Sequence, residues 1–152
     1  LRASVRDEAV EVTAYSNTSK SNPLKYEYDP NIVAIIRFAG GEIGKVASMV
    51  EARMPYVFHV QLLGEKGAIR NNQVFSVDWP GQNGWATVPC VLPDSGDVSH
   101  HPFQAEVDHF IECLLSGAES HASVADTYKT HEICLAADLS AAEGRPVRLP
   151  LP

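Results

Sequence analysis

The side chains best suited to chemistry are a histidine doublet, His100-His101, just ahead of a helical pattern, and two polar residues, Arg53 and His59, among apolar neighbours. Histidine titrates near neutral pH and can donate a proton or a hydrogen bond to a sugar hydroxyl. Loops carried on a rigid scaffold are favoured places for such residues, although two solvated loop histidines would look the same. Trp79 and Trp85 flank the same long loop. They could stack on a carbohydrate or simply cap a sheet edge, and both readings stand at this stage.

Other motifs fail on a missing partner. Gly40, Gly41 and Gly44-Lys45 suggest a phosphate loop, but Ala39 and Val46 stand where that loop needs Gly and Ser or Thr. A hairpin turn is the better reading. No GxGxxG or GxSxG is present. His131-Glu132 begins like a zinc-protease helix, yet position 135 is Leu. Glu106 and His109 have the spacing of one di-iron ligand pair, and such a site needs two pairs. No metal is expected.

Composition bounds the partners. The formal charge of −7 and the absence of clustered Lys or Arg argue against nucleic acid and anionic membrane. No apolar run approaches a membrane-spanning length. Cys90, Cys113 and Cys134 are widely spaced without a CxxC pair, which favours a reducing, cytoplasmic setting. Cys113 and Cys134 sit among apolar residues and read as small buried hydrophobes.

The elements that must position these side chains come in two halves. Val10 to Tyr15 alternates with period two, and Ile32 to Phe38 and Ile43 to Met49 flank Gly40-Gly41 as a hairpin. Val50 to Leu63 alternates as one long strand, with apolar residues on one face and Arg53 and His59 on the other. Pro55 marks a kink. Gly64 to Gly67 turns the chain into a strand pair over Ala68 to Asp78, and Pro80 to His101 is a long irregular excursion. Phe103, Val107, Phe110, Ile111 and Leu114 then recur at helical spacing up to Gly117. Ser123 to Asp126 resembles a capping box that opens a helix through Tyr128, Cys134, Leu135 and Leu139, closed by Gly144. Val147 to Leu151 is a short, proline-bearing edge strand. The expected fold is α+β: an open, mainly antiparallel sheet with two long helices on one face and the other face free for oligomerisation.

The order of pieces is itself informative. Gly64-Glu65-Lys66-Gly67-Ala68-Ile69, then His101-Pro102-Phe103 through Phe110, then Ala136-Ala137-Asp138-Leu139-Ser140-Ala141 and Glu143-Gly144-Arg145-Pro146-Val147-Arg148-Leu149-Pro150 follow in series. From about Val10 to Leu151 the chain resembles the C-terminal domain of Gfo/Idh/MocA oxidoreductases, the glucose–fructose oxidoreductase and inositol dehydrogenase group. The resemblance implies one C-terminal domain over residues 1–152, with the Rossmann domain that binds NAD or NADP absent from this chain. The family's Glu-Lys-Pro lysine and the Asp and His that assist it have no counterpart here, so the resemblance assigns no catalytic or cofactor-binding residue. It implies a sugar, cyclitol or related polyol as substrate, no cofactor bound by this segment, and no turnover by the segment alone. It also implies a dimer or tetramer formed through the open sheet face. Substrate contact is expected from Arg53, His59, His101 and Phe103. Phe103 falls where many sugar dehydrogenases have a Tyr, and the missing hydroxyl weakens a polyol contact there. Within the family, NAD-dependent glycoside cleavage or isomerisation is a further option. A reading from another class is a non-catalytic metabolite-binding or assembly module.

Overall fold

A computed structural model describes residues 2–21, 24–54, 58–89 and 103–152. The chain divides into two compact units, Leu1–Ala52 with His109–Pro152, and Arg53–Asp108. The expected α+β architecture is observed, with antiparallel open sheets and two long helices. The expected single sheet is replaced by two four-stranded sheets, one in each unit.

The first unit opens on a short helix α1 (Arg2–Val5), followed by β1 (Ala9–Asn17), β2 (Asn31–Phe38) and β3 (Ile43–Met49). Strands β1 and β2 are rich in β-branched residues and carry the period-two pattern that a half-buried sheet requires. The β2–β3 hairpin turns at Gly41, whose φ of 101° is open to glycine at little cost, so this is a turn and not a phosphate cradle. With the final strand β8 (Val147–Arg148) the order is β3-β2-β1-β8, which leaves β8 at an edge, between Pro146 and Pro150.

Val12, Ala14, Ala34, Ile36, Phe38 and Val147 form the buried face of this sheet, packed with Ala136 and Ala137 of the helix α3 (Val124–Glu143). From sequence, Cys134 reads as a small buried hydrophobe. Instead Leu135 and Cys134 are exposed and the buried positions are Glu132, Ala136, Ala137 and Ser140. Small side chains let the helix backbone lie close to the strands, and two polar groups fasten it there. Ser140 Oγ accepts a hydrogen bond from the Ala14 N–H at 3.0 Å and donates one to the Arg145 carbonyl at 2.7 Å. The Glu132 carboxylate accepts one from the Leu151 N–H at 2.8 Å. Buried polar groups are tolerated when paired in this way.

The capping box expected at Ser123 does not form. Ser123 is the N-cap but makes no side-chain cap bond, and the Asp126 carboxylate pairs with Arg2 of α1. Gly144 closes α3 in the left-handed conformation, as read from the sequence. The other long helix, α2 (Phe103–Ser116), keeps its expected bounds, but only Cys113 is buried along it. Its stripe of Phe103, Val107, Phe110, Ile111 and Leu114 is exposed in this chain.

The second unit holds β4 (Gln61–Gly64), β5 (Gly67–Arg70), β6 (Gln73–Ser76) and β7 (Ala86–Thr87), paired in that order. The long strand expected over Val50 to Leu63 is therefore corrected. Strand β3 ends at Met49, where the Ala52 N–H turns back to the Met49 carbonyl, and among the described residues the next strand begins at Gln61. Proline has no N–H to give a ladder, so alternation that runs through one is a weak strand signal. Gly67 is required on packing grounds, since a Cβ there would run into the Phe75 carbonyl of the neighbouring strand.

Candidate functional site

The small sheet β4-β5-β6-β7 has two unlike faces. Alternation puts Leu62, Ile69 and Val74 on one side, and beside Trp79 they line a shallow apolar groove of about 420 Å³. The opposite side carries Gln61, Arg70 and Gln73 in register, with Gln61 opposite Arg70 and Arg70 opposite Gln73, and next to them on the same side Leu63, Ala68 and Phe75.

The turn between β5 and β6 is Asn71-Asn72, and Asn71 is left-handed with φ of 53°. Asparagine is among the few side-chain-bearing residues that enter this region readily, and two-residue hairpin turns require it. The Asn71 side chain then does something specific. Its Oδ1 accepts from the Val60 N–H at 3.1 Å, which fixes the amide so that Nδ2 faces His59 Nδ1 at 3.4 Å. An amide nitrogen can only donate, so in this contact His59 Nδ1 can serve only as acceptor, which a neutral imidazole with its N–H at Nε2 allows. In that tautomer the imidazole is oriented with an N–H available as a donor.

Arg70 is fixed on two sides. Its Nε and Nη2 both donate to Gln73 Oε1, at 3.2 and 2.7 Å, and its guanidinium carbon lies 4.7 Å from the ring centroid of Trp85. Cation–π stacking and a planar fork are what distinguish Arg from Lys in such a role. The loop carrying the tryptophans is laced to β6 by Gln82. Its Nε2 donates to the Val74 and Gly84 carbonyls at 2.8 and 2.9 Å, and its Oε1 accepts from the Ser76 N–H at 2.9 Å. The first part of the expected irregular loop is therefore tied down, and Trp85 immediately precedes β7.

Of the residues singled out from sequence, His59 enters this arrangement. Arg53 is exposed at the start of the unit, and no hydrogen bond joins it to His59 among the described residues. Phe103 is the exposed first residue of α2. His101, like His100 and Cys90, lies outside the described residues. Arg70, Asn71 and Gln73 had not been singled out. The signal available for them was the Asn-Asn pair between two short alternating runs, which reads as a tight hairpin.

Elsewhere, His109 stacks on His121 with ring centroids 4.0 Å apart, and its Nε2 lies 3.6 Å from Cys113 Sγ. Among the described residues no group of three or more His, Cys, Asp or Glu is arranged to hold a metal. Nor is any described helix long and apolar enough to cross a membrane. At one end of the large sheet Glu51 gathers three hydrogen bonds, from the Ser19 N–H, the Ser19 hydroxyl and Asn31 Nδ2, at 2.8, 2.8 and 2.7 Å. Desolvation pushes its carboxyl up, but these donors together outweigh it and hold the pKa below the ordinary value. Asp29, bonded by Thr18 and Ser16, and Asp7, bonded by the Gly40 and Glu8 N–H groups, are lowered for the same kind of reason.

The described residues do not fit a dinucleotide. Such a cofactor sits on a parallel βαβ crossover with a glycine-rich turn, whereas every strand pair described is antiparallel.

A family model for the oxidoreductase family, C-terminal alpha/beta domain (GFO_IDH_MocA), matches residues 6–149. Aldose-aldose oxidoreductase from Caulobacter crescentus, complexed with glycerol, is similar at 25% identity and a TM-score of 0.69, over 97% of this chain and 43% of that one. Levoglucosan dehydrogenase with NADH and levoglucosan shares the fold at 23% identity and TM-score 0.75, over 95% of this chain and 46% of that one. An oxidoreductase from Agrobacterium radiobacter in complex with NAD+, L-tartaric acid and magnesium does so at 22% identity and TM-score 0.77, over 97% and 45%. The chain thus spans less than half the length of these solved structures. No curated protein matches the sequence.

Proposed function

This chain belongs to the Gfo/Idh/MocA oxidoreductase family as its C-terminal alpha/beta domain, and from that premise we propose that it forms the substrate-pocket wall and subunit interface of an NAD(P)-dependent dehydrogenase or reductase. The family match over residues 6–149 carries this reading. On it, residues 1–152 are one C-terminal substrate domain and the nicotinamide is held by a domain outside this chain. Hydride chemistry belongs to that cofactor, and no step of it is assigned to residues here.

The substrate class is a sugar, cyclitol or related polyol. In support, the relatives are complexed with glycerol, levoglucosan and L-tartaric acid, all small and rich in oxygen. His59 offers an Nε2–H to a substrate hydroxyl, and Arg53, His101 and Phe103 are the other wall residues. The subunit interface is the open face of the large sheet. Register puts Thr13, Tyr15, Val33, Ile35, Ile43 and Met49 on that side, and Tyr15 and Ile43 are 75% and 73% exposed. A partner copy would cover them.

The test is steady-state reduction of NAD+ and NADP+ by the intact protein over a panel of aldoses, cyclitols and linear polyols. Turnover is expected with at least one, and His59→Ala should raise its KM about fivefold with a smaller change in kcat, as loss of one hydrogen bond to bound substrate predicts. Binding of a polyol without any turnover would favour the non-catalytic metabolite-binding module instead.

A further inference from the structure

Of the seven arginines, Arg6, Arg53, Arg70 and Arg148 have no carboxylate partner among the described residues, and of these four only Arg70 has its guanidinium held there by a side-chain hydrogen bond. Arg2, Arg37 and Arg145 each pair with a carboxylate, of Asp126, Glu11 and Glu143. Arg70 has no carboxylate within salt-bridge distance among the described residues, in a protein whose net charge is −7. Its fixing partner is the neutral Gln73, which orients the guanidinium without cancelling its charge. The edge used is the one formed by Nε and Nη2, so the fork between Nη1 and Nη2 keeps its donors. The guanidinium carbon lies over the Trp85 ring, 4.7 Å from its centroid. A planar, pre-oriented and uncompensated fork is the donor arrangement that a carboxylate meets with two parallel hydrogen bonds.

What surrounds the fork suits a polyol. Gln61 stands opposite Arg70 in the ladder, and Asn71, the next residue along, meets His59 Nδ1 in the contact that leaves Nε2–H as donor. Amides and an imidazole N–H are partners for hydroxyl groups, and Trp85 adds an aromatic surface. A single fixed cation matches one negative charge. A phosphate dianion would demand more positive charge than this acidic chain supplies here.

We propose that this face of the small sheet, built on Arg70, Gln73, Trp85, Asn71 and His59, is a recognition subsite for a sugar acid, with the Arg70 fork taking the carboxylate. This rests on the reading of the chain as a substrate-pocket domain and narrows the substrate to carboxylate-bearing polyols. Asn71 is a positioning residue that acts through His59.

The experiment is calorimetric titration of the protein with gluconate, glucitol and inorganic phosphate, each at matched ionic strength. Gluconate should bind about tenfold more tightly than glucitol, the difference between a charge-assisted and a neutral hydrogen-bond pair. Arg70→Gln should abolish that preference, and Arg70→Lys should retain only part of it because the ammonium lacks the fork. Arg148→Gln, at an exposed position on the edge strand β8, should leave it intact. Arg70 is exposed, so these variants keep the fold, and a circular dichroism spectrum checks that they do. Equal affinity for gluconate and glucitol, or a preference that survives Arg70→Gln, overturns the subsite. Phosphate binding as tight as gluconate, also lost in Arg70→Gln, overturns its assignment to a carboxylate. The two readings fail separately: turnover of neutral sugars that ignores Arg70 removes only the subsite. An Arg70-dependent preference for gluconate without turnover of any substrate removes only the dehydrogenase.

Discussion

The two sheets are built on different principles. The large sheet has strands of nine, eight, seven and two residues, and every buried hydrophobic strand residue of the described chain belongs to it. The small sheet has strands of four, four, four and two residues and contributes none to the core. Its order comes from side chains that bond to backbone: Gln82 to Val74, Ser76 and Gly84, Asn71 to Val60, Asn72 to Val88. Apolar burial holds the scaffold, while local polar lacing holds the face that carries Arg70 and His59. A site built by lacing can present charged and aromatic groups to solvent without a core beneath them, at the cost of low local stability.

The sharpest way to break this comparison is to remove equivalent apolar groups from each sheet. Phe38 is 2% exposed in the core of the large sheet. Phe38→Ala should cost about 3–5 kcal/mol of global stability in a urea titration. Phe75, half-buried in the small sheet, should cost only about 1 kcal/mol when changed to Ala, since less area is returned to water. A Phe75→Ala loss as large as that of Phe38→Ala would mean that the small sheet has a closed core of its own.

A second prediction concerns the uncovered side of the large sheet. If a second copy covers it, Ile35→Glu forces a carboxylate into the interface, with Lys45 across the strand as its neighbouring cation. Ile35 is paired with Thr13 and Lys45 at the middle of the open face and is 41% exposed in the single chain. The dissociation constant measured by sedimentation equilibrium should rise roughly a hundredfold, with the monomer's fold unchanged because the residue is not in the core. A protein that is monomeric both before and after the substitution would move the interface off this face.

The same contrast explains what could be read from the sequence. Strands β1, β2 and β3 and the hairpin between the last two were legible because half-burial imposes a two-residue period, and Gly41 marks its turn. The bounds of both long helices were legible from spacing and from Gly117 and Gly144. Which face of α3 turns inward was not, because close packing favoured Ala136, Ala137 and Ser140 over the larger Leu135 and Leu139. The stretch after Met49 alternated as a strand does, but periodicity counts side chains and takes no account of the donor that Pro55 lacks. For the candidate site, His59 and Trp85 were visible by type. Arg70, Asn71 and Gln73 were not, since their significance lies in a φ angle, a register and a stacking distance that residue type alone does not encode.

The smallest expected effect distinguishes the sheets by acid. Three carboxyls with lowered pKa values, Asp7, Asp29 and Glu51, all sit in the unit built on the large sheet. For Glu51, desolvation works against the charge, and donation from Ser19 and Asn31 prevails. A carboxyl lowered in the folded state contributes stability that is present above its ordinary value of 4.5 and is lost as pH falls through the folded-state pKa. Glu51→Gln keeps an acceptor for these donors but removes the titration. Urea midpoints measured from neutral pH downward should therefore fall less steeply below the ordinary carboxylate range in the variant, with little difference near neutrality. If the acid limb keeps its slope in Glu51→Gln, the cluster at Ser19, Asn31 and Glu51 is not what ties the end of the large sheet to pH. Asp29, held by the Thr18 and Ser16 hydroxyls, would then be the next group to replace.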